Sequence, residues 1–232
     1  MKFAVAVVVS SLFAGCTSAS ANPYLACGSA GPDTYYFPAG TFAPSIPPPR
    51  LGYTFKPSDF DPDPERRESY SMTMDWLELP SLSCGAPRAD ETYRLVWLRS
   101  FHQPVAIQID RSGNRYTLDV ATSNEARLSG KPLQRIHRQL TKDDWSRIVA
   151  GLERIDFWTL PSSDQVSGFF AEDESGDIIV TSAGKDGAEW IIEGRAGHYH
   201  AVDRWSDVED FVAVGRIFID LAQLNVPEDD IY

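Results

Sequence analysis

The stretch GAEWIIEGRAGHYHAVDRW, residues 187–205, decides how the chain is read. Side chains along a strand alternate between two faces, and this stretch reads as two strands joined near Ala196-Gly197. On the first strand Glu189, Ile191 and Glu193 share a face, and Trp190 and Ile192 share the other. On the second, His198, His200, Val202 and Arg204 share a face, and Tyr199, Ala201, Asp203 and Trp205 the other. A tight turn at Ala196-Gly197 would set Arg195 opposite His198, Glu193 opposite His200, Ile191 opposite Val202 and Glu189 opposite Arg204. Opposite charges facing each other across strands stabilise a pair by up to about 1 kcal/mol. Moving the pairing by one residue would bring Glu189 against Asp203, a like-charge contact that disfavours the move. The expectation is an outward ionic face above an inward surface of Trp190, Ile192, Ala201 and Trp205.

That outward row supplies the candidate ligand-binding residues: Glu193, His198, His200 and Arg204. His-x-His on a strand aims two imidazoles the same way, as many metal sites require. Two ligands do not make a site, and a third would have to come from Glu193 or a distant carboxylate. A Glu-His pair can also act as general base and orienter. No G-x-S-x-G, P-loop, H-E-x-x-H or C-x-x-C motif accompanies it. No catalytic residue, metal ligand or cofactor is therefore expected. The alternative use of Glu193, His198 and His200, in metal binding or hydrolysis, stays open.

Upstream, TYRLVWLRSF (92–101) reads as a strand. PVAIQID (104–110) alternates Val105, Ile107 and Ile109 against Ala106, Gln108 and Asp110. A turn at Ser112-Gly113-Asn114 leads to Tyr116, Leu118 and Val120 alternating with polar neighbours, which completes an antiparallel meander with one wet face. A helix follows: Thr141 caps it, Asp144 is the reciprocal partner, and Trp145, Ile148, Val149 and Leu152 line one side. It should stop near Ile155. DIIVTSA (177–183) is the next strand, and the 187–205 hairpin supplies two more. In the closing helix Ser206 caps, Glu209 completes the capping box, and Val208, Phe211, Val214 or Gly215, Phe218 and Leu221 form the buried stripe. The predicted fold is α+β, an antiparallel sheet in the order βββ-α-βββ-α with both helices packed on one face. The domain spans 70–226, with an acidic tail at 227–232.

GAEWIIEGRAGHYHAVDRWS resembles the signature segment of a family of uncharacterised exported bacterial proteins. In it an Asp-Gly-Ala-x-Trp-x-x-Glu-Gly strand precedes a Tyr-His-x-Val-x-Arg-Trp-Ser strand and a final helix. Asp186, Gly187, Ala188, Trp190, Glu193, Gly194, Tyr199, His200, Val202, Arg204, Trp205 and Ser206 match it. The resemblance covers roughly residues 92–224. It implies where the domain lies and transfers no activity.

MKFAVAVVVSSLFAGCTSASAN has the layout of a secretory signal peptide: one cation at Lys2, an apolar run, then small residues. Leu12-Phe13-Ala14-Gly15-Cys16 resembles the lipobox of bacterial lipoproteins, which implies lipidation at Cys16, although Phe13 departs from the usual aliphatic residue. Cleavage after Ala21, at Ala19-Ser20-Ala21, is the alternative. The expected location is the cell envelope, in the periplasm or at the outer membrane, through a lipid anchor alone. Cys27 and Cys84, an even pair in an oxidising compartment, suggest a disulfide. It would close nearly sixty residues and stabilise by about 4 kcal/mol in the chain-entropy picture.

Residues 23–64 hold ten of the sixteen prolines. PSIPPPR and FDPDPERR read as an extended spacer, placed at 22–69. Tyr35, Tyr36, Phe37, Phe42, Tyr53, Phe55 and Phe60 are too many aromatics for a free linker, so part of it should lie across the domain, pinned at Cys27 and Cys84. The chain of 232 residues is 43% hydrophobic with a formal charge of −12. That acidity argues against nucleic acid and anionic membrane surfaces as partners. Arg127, Lys131, Arg135, His137, Arg138 and Lys142 form the one basic stretch, read as a solvated strand edge paired with the chain's own carboxylates. A contact for anionic envelope material is the alternative. The function expected is a non-catalytic binding or accessory module for an unknown envelope protein or component. An inhibitor or immunity-type protein fits the same size.

Overall fold

The computed structural model describes residues 36–43, 63–84, 88–122, 134–163, 170–172, 178–180, 187–206 and 208–231. The signal segment with Cys16, Cys27, much of the proline-rich stretch, Arg127 and Lys131 lie outside these. In chain order the elements are α1 (Asp63–Trp76), β1 (Glu91–Arg99), β2 (Val105–Ser112), β3 (Arg115–Thr122), β4 (Gln134–Leu140), α2 (Lys142–Arg154), β5 (Phe170–Glu172), β6 (Ile178–Val180), β7 (Ala188–Arg195), β8 (Tyr199–Trp205) and α3 (Glu209–Ala222). Six strands make one antiparallel sheet, ordered β4-β3-β2-β1-β7-β8. β5 and β6 pair separately.

The mixed α and β class and the antiparallel sheet are as expected; the element order differs. The basic stretch contains β4, and residues 178–180 join β5 rather than the main sheet. A further helix, α1, begins inside the segment read as spacer. Proline cannot continue a helix, but it is tolerated in the first turn, where its missing N–H has no partner to lose. Pro64 sits there, immediately after Asp63. The boundary placed at residue 70 therefore cuts a helix.

One sheet face carries the alternating apolar set Tyr93, Leu95, Trp97, Val105, Ile107, Ile109, Leu118, Val120, Trp190, Ile192 and Val202. α2 covers it with Trp145, Ile148 and Leu152, and α3 with Phe211, Val214 and Phe218. Thr141 and Asp144 form the reciprocal cap of α2 as read, and Ile155 ends that helix. α3 begins without a side-chain cap. Ser206, expected to cap it, instead accepts from the Ala188 amide at 3.2 Å. Ile231, in the segment read as an acidic tail, packs on this core.

α2 and α3 thus share one face, as expected, and α1 does not. On the other side of the sheet a second core gathers Val96, Ala106, Ala121 and Ile191 beneath Tyr36, Phe37, Phe42, Tyr70, Met74, Leu77 and Leu79. Tyr36, Phe37 and Phe42 of the proline-rich segment thus lie across the domain, whereas Tyr35, Tyr53, Phe55 and Phe60 fall outside the described residues. Asp63 fastens it: the buried carboxylate accepts from the amides of Gly40 at 2.9 Å and Phe42 at 2.8 Å, and from Arg67 Nε at 2.7 Å. The wet face expected of the meander is therefore half-covered.

Candidate functional site

The β7–β8 register differs by one residue from that expected. Arg195 pairs with Tyr199, Gly194 with His200, Glu193 with Ala201 and Ile191 with Asp203. Three residues, Ala196, Gly197 and His198, span the turn, with Gly197 at φ +79° and the Ala196 amide bonded to the His198 carbonyl at 3.1 Å. One extra loop residue carries every β8 side chain to the opposite face. The predicted ionic row is thereby divided. Glu193 lies on the face beneath α1, whereas His200 and Arg204 lie with Trp190 on the face beneath α3. Glu193 and Arg204 are buried, not outward.

Each of the four residues has a packing role. His200 Nε2 donates to the Leu160 carbonyl at 3.0 Å, and its ring lies 5.2 Å from Phe157. The His198 ring lies 4.4 Å from Trp158. Arg204 donates to the carbonyls of Pro161 at 2.7 Å and Asp203 at 2.6 Å. Among the described residues no three His, Cys, Asp or Glu side chains are arranged to hold a metal. The joint use of Glu193, His198 and His200 is excluded by their division between two faces.

Burial lowers the His200 pKa from its ordinary value of 6.5, because the charged ring is poorly solvated there. The unfolded chain then binds the proton more readily than the folded one, so stability falls as pH drops below 6.5. Urea midpoints at pH 7.5 and 5.5 check this. His200→Gln is expected to shrink the difference, and an equal difference in both proteins contradicts it.

A continuous polar row does exist, on the α1 face. His137, Asp119, Gln108, Arg94 and Glu193 are successive cross-strand partners over β4, β3, β2, β1 and β7. At its centre Arg94 is wholly buried with every donor used. Nε reaches Gln108 Oε1 at 3.1 Å, and Nη2 reaches the same oxygen at 2.6 Å and the Pro80 carbonyl at 3.0 Å. Nη1 bonds the Tyr36 hydroxyl, and Glu193 at 3.2 Å. Tyr199 donates to Glu193 at 3.0 Å. Burial pushes the Glu193 carboxyl above its ordinary range, opposed by Arg94 and Tyr199. It also pushes the Tyr36 and Tyr199 hydroxyls upward.

The row then leaves its cover. His137 Nδ1 lies 2.8 Å from Asp119 Oδ1, both exposed. Beside them a cleft of about 370 Å³ opens between β2–β4 and the segment after α1, lined by Glu78, Leu79, Pro80, Arg88, Ala106, Gln108, Asp110, Asp119 and Arg135 among others. Where it is described, the basic stretch forms the edge strand β4, and only Arg135 and His137 of its described residues meet carboxylates. Arg135 bonds the Leu77 carbonyl at 2.8 Å and lies 3.4 Å from Glu78, and Arg138 bonds Gln223.

Tyr36, Arg94, Gln108 and Asp119 were not among the expected site residues. One signal was present: Arg94 is the one charge in the run from Tyr93 to Leu98, and a charge among apolar neighbours demands a buried partner. Among the described residues no helix is long and apolar enough to cross a membrane. Comparison with family models, with curated proteins and with solved structures finds no match for this chain.

Proposed function

We propose that this chain is an exported, lipid-anchored binding module whose ligand enters the cleft at the open end of the polar row. One observation carries the binding reading. The buried Arg94 holds Gln108, and Gln108 in turn holds Asp110, and both face a cleft of about 370 Å³, within the range of small-molecule sites. Sites on strands, held by a supporting layer of hydrogen bonds, keep their geometry better than sites on loops. The side chains with strongly raised pKa, Tyr36, Tyr70 and Tyr199, are buried and bonded to partners. They read as parts of the scaffold, which favours binding over catalysis.

The anchor reading is supported by the layout of residues 1–21. Lipid on Cys16 would place the globule in the envelope. We also propose a Cys27–Cys84 disulfide. Ser83, next to Cys84, bonds the Tyr36 carbonyl at 3.3 Å, so the chain leading back to Cys27 starts beside it.

A small-molecule fragment screen read by backbone amide shifts tests the binding reading. Hits are expected to move residues 106–110, 119–121 and 135, and to lose at least tenfold in affinity in Asp119→Ala. Hits gathered around His198 and His200 instead would remove the cleft from consideration. Fatty-acid labelling lost in Cys16→Ser checks the anchor, and labelling that persists contradicts it.

A further inference from the structure

The charges that line the cleft are unequally engaged. Arg135 is taken up by the Leu77 carbonyl and by Glu78. Arg88 is exposed and lines this cleft together with a neighbouring one that also holds Ser112 and Arg195. In the same cleft Asp110 and Asp119 stand on adjacent strands and the same face, since Gln108 pairs with Asp119 and Asp110 with Thr117. Such diagonal neighbours lie about 7–8 Å apart, close enough for one small group to meet both.

Asp110 is held by neutral donors: Thr92 Oγ1 at 2.5 Å and Gln108 Nε2 at 2.8 Å. The Gln108 amide cannot turn over. Arg94 has only donors, so it must meet the amide oxygen, which leaves the NH₂ group facing Asp110. Asp119 shares one oxygen with His137. Two carboxylates are thus fixed with charge to spare, beside a guanidinium on a different segment. Leu79, Pro80, Ala106 and Ala121 line the same cleft and give it apolar surface beside the charges.

We propose that the cleft takes a small zwitterion, a free amino acid or a dipeptide, with its ammonium on Asp110 and Asp119 and its carboxylate on Arg88. A polyanion would meet the two aspartates, and a simple amine would leave the guanidinium without a counterion. This inference rests on the cleft being the ligand site.

Titration of the full chain with L-alanyl-L-alanine, its N-acetyl form and its C-terminal amide, followed by amide shifts, tests it. The free dipeptide is expected to saturate the cleft signals, and either block to weaken binding at least tenfold. Asp119→Asn should remove most of the acetylation penalty and Arg88→Gln most of the amidation penalty, each with an otherwise unchanged spectrum. Blocked forms that bind as tightly as the free dipeptide, or no saturation by roughly 10 mM, overturn the zwitterion. If other small molecules still move the cleft amides, the cleft stands and only its ligand class falls. If no compound moves them, both readings fall.

Discussion

Replacing Arg94 by methionine is expected to lower the unfolding free energy by about 3–5 kcal/mol, because it leaves an unpaired carboxylate in the interior. Arg94 and Glu193 are both 0% exposed, and the guanidinium also serves Tyr36, Gln108 and the Pro80 carbonyl. Methionine fills much of the volume but offers none of those donors. Glu193 would keep Tyr199 as a partner and lose the guanidinium that pairs with it at 3.2 Å, or else take up a proton. A second change, Glu193→Leu, should recover part of the loss, since an apolar pair of similar volume often matches a buried ion pair. Urea denaturation of the single and double variants measures both. A single-variant loss below about 1 kcal/mol, the level of an exposed pair, would contradict the burial described here.

The second large effect belongs to a residue with no side chain. A Cβ at Gly215 on α3 would lie 2.3 Å from Trp190 Cε3 and 2.4 Å from Cζ3. Trp190 cannot retreat easily, because it is fully buried with its ring 5.0 Å from that of Trp97. Gly215→Ala must shift a packed indole or the helix itself, and a loss of about 3 kcal/mol is expected, the upper part of the usual cost of overpacking. Gly151→Ala on α2 is the contrasting case. Its Cβ meets Ile217 Cδ1 at 2.9 Å, the far end of a flexible side chain. Yielding there is cheap, and the helix gains up to about 1 kcal/mol from replacing glycine. Thermal or urea unfolding of the two variants should show clear destabilisation in the first and little change in the second. Equal losses would mean that helix propensity, not the tryptophan, sets the cost.

Local patterns were legible wherever short-range physics decides them. The alternation of Val105, Ile107 and Ile109 gave β2 its buried side, and Thr141 with Asp144 marked the start of α2. The turn after Arg195 defeated the same reasoning, because cross-strand charges were weighed as if that face met water. Nothing in residues 187–205 reveals that Arg94, a hundred positions upstream, waits to pair with Glu193. α1 was hidden for a different reason. Its buried side chains are few, Asp63, Tyr70 and Met74, so it has little apolar periodicity, and its opening proline resembles those of a spacer. The cleft was out of reach for both reasons together: one wall is strand face and the other is the chain that follows α1.

The chain at 160–163 has a consequence for assembly. The Asp203 amide donates outward to the Ser162 carbonyl at 2.8 Å, and His200 and Arg204 hold the neighbouring Leu160 and Pro161 carbonyls. That segment occupies the free margin of β8, where an exposed strand would otherwise template a neighbour. Growth of the sheet into a fibril from this side would first require peeling the segment away, so the His200 and Arg204 contacts also guard against self-association.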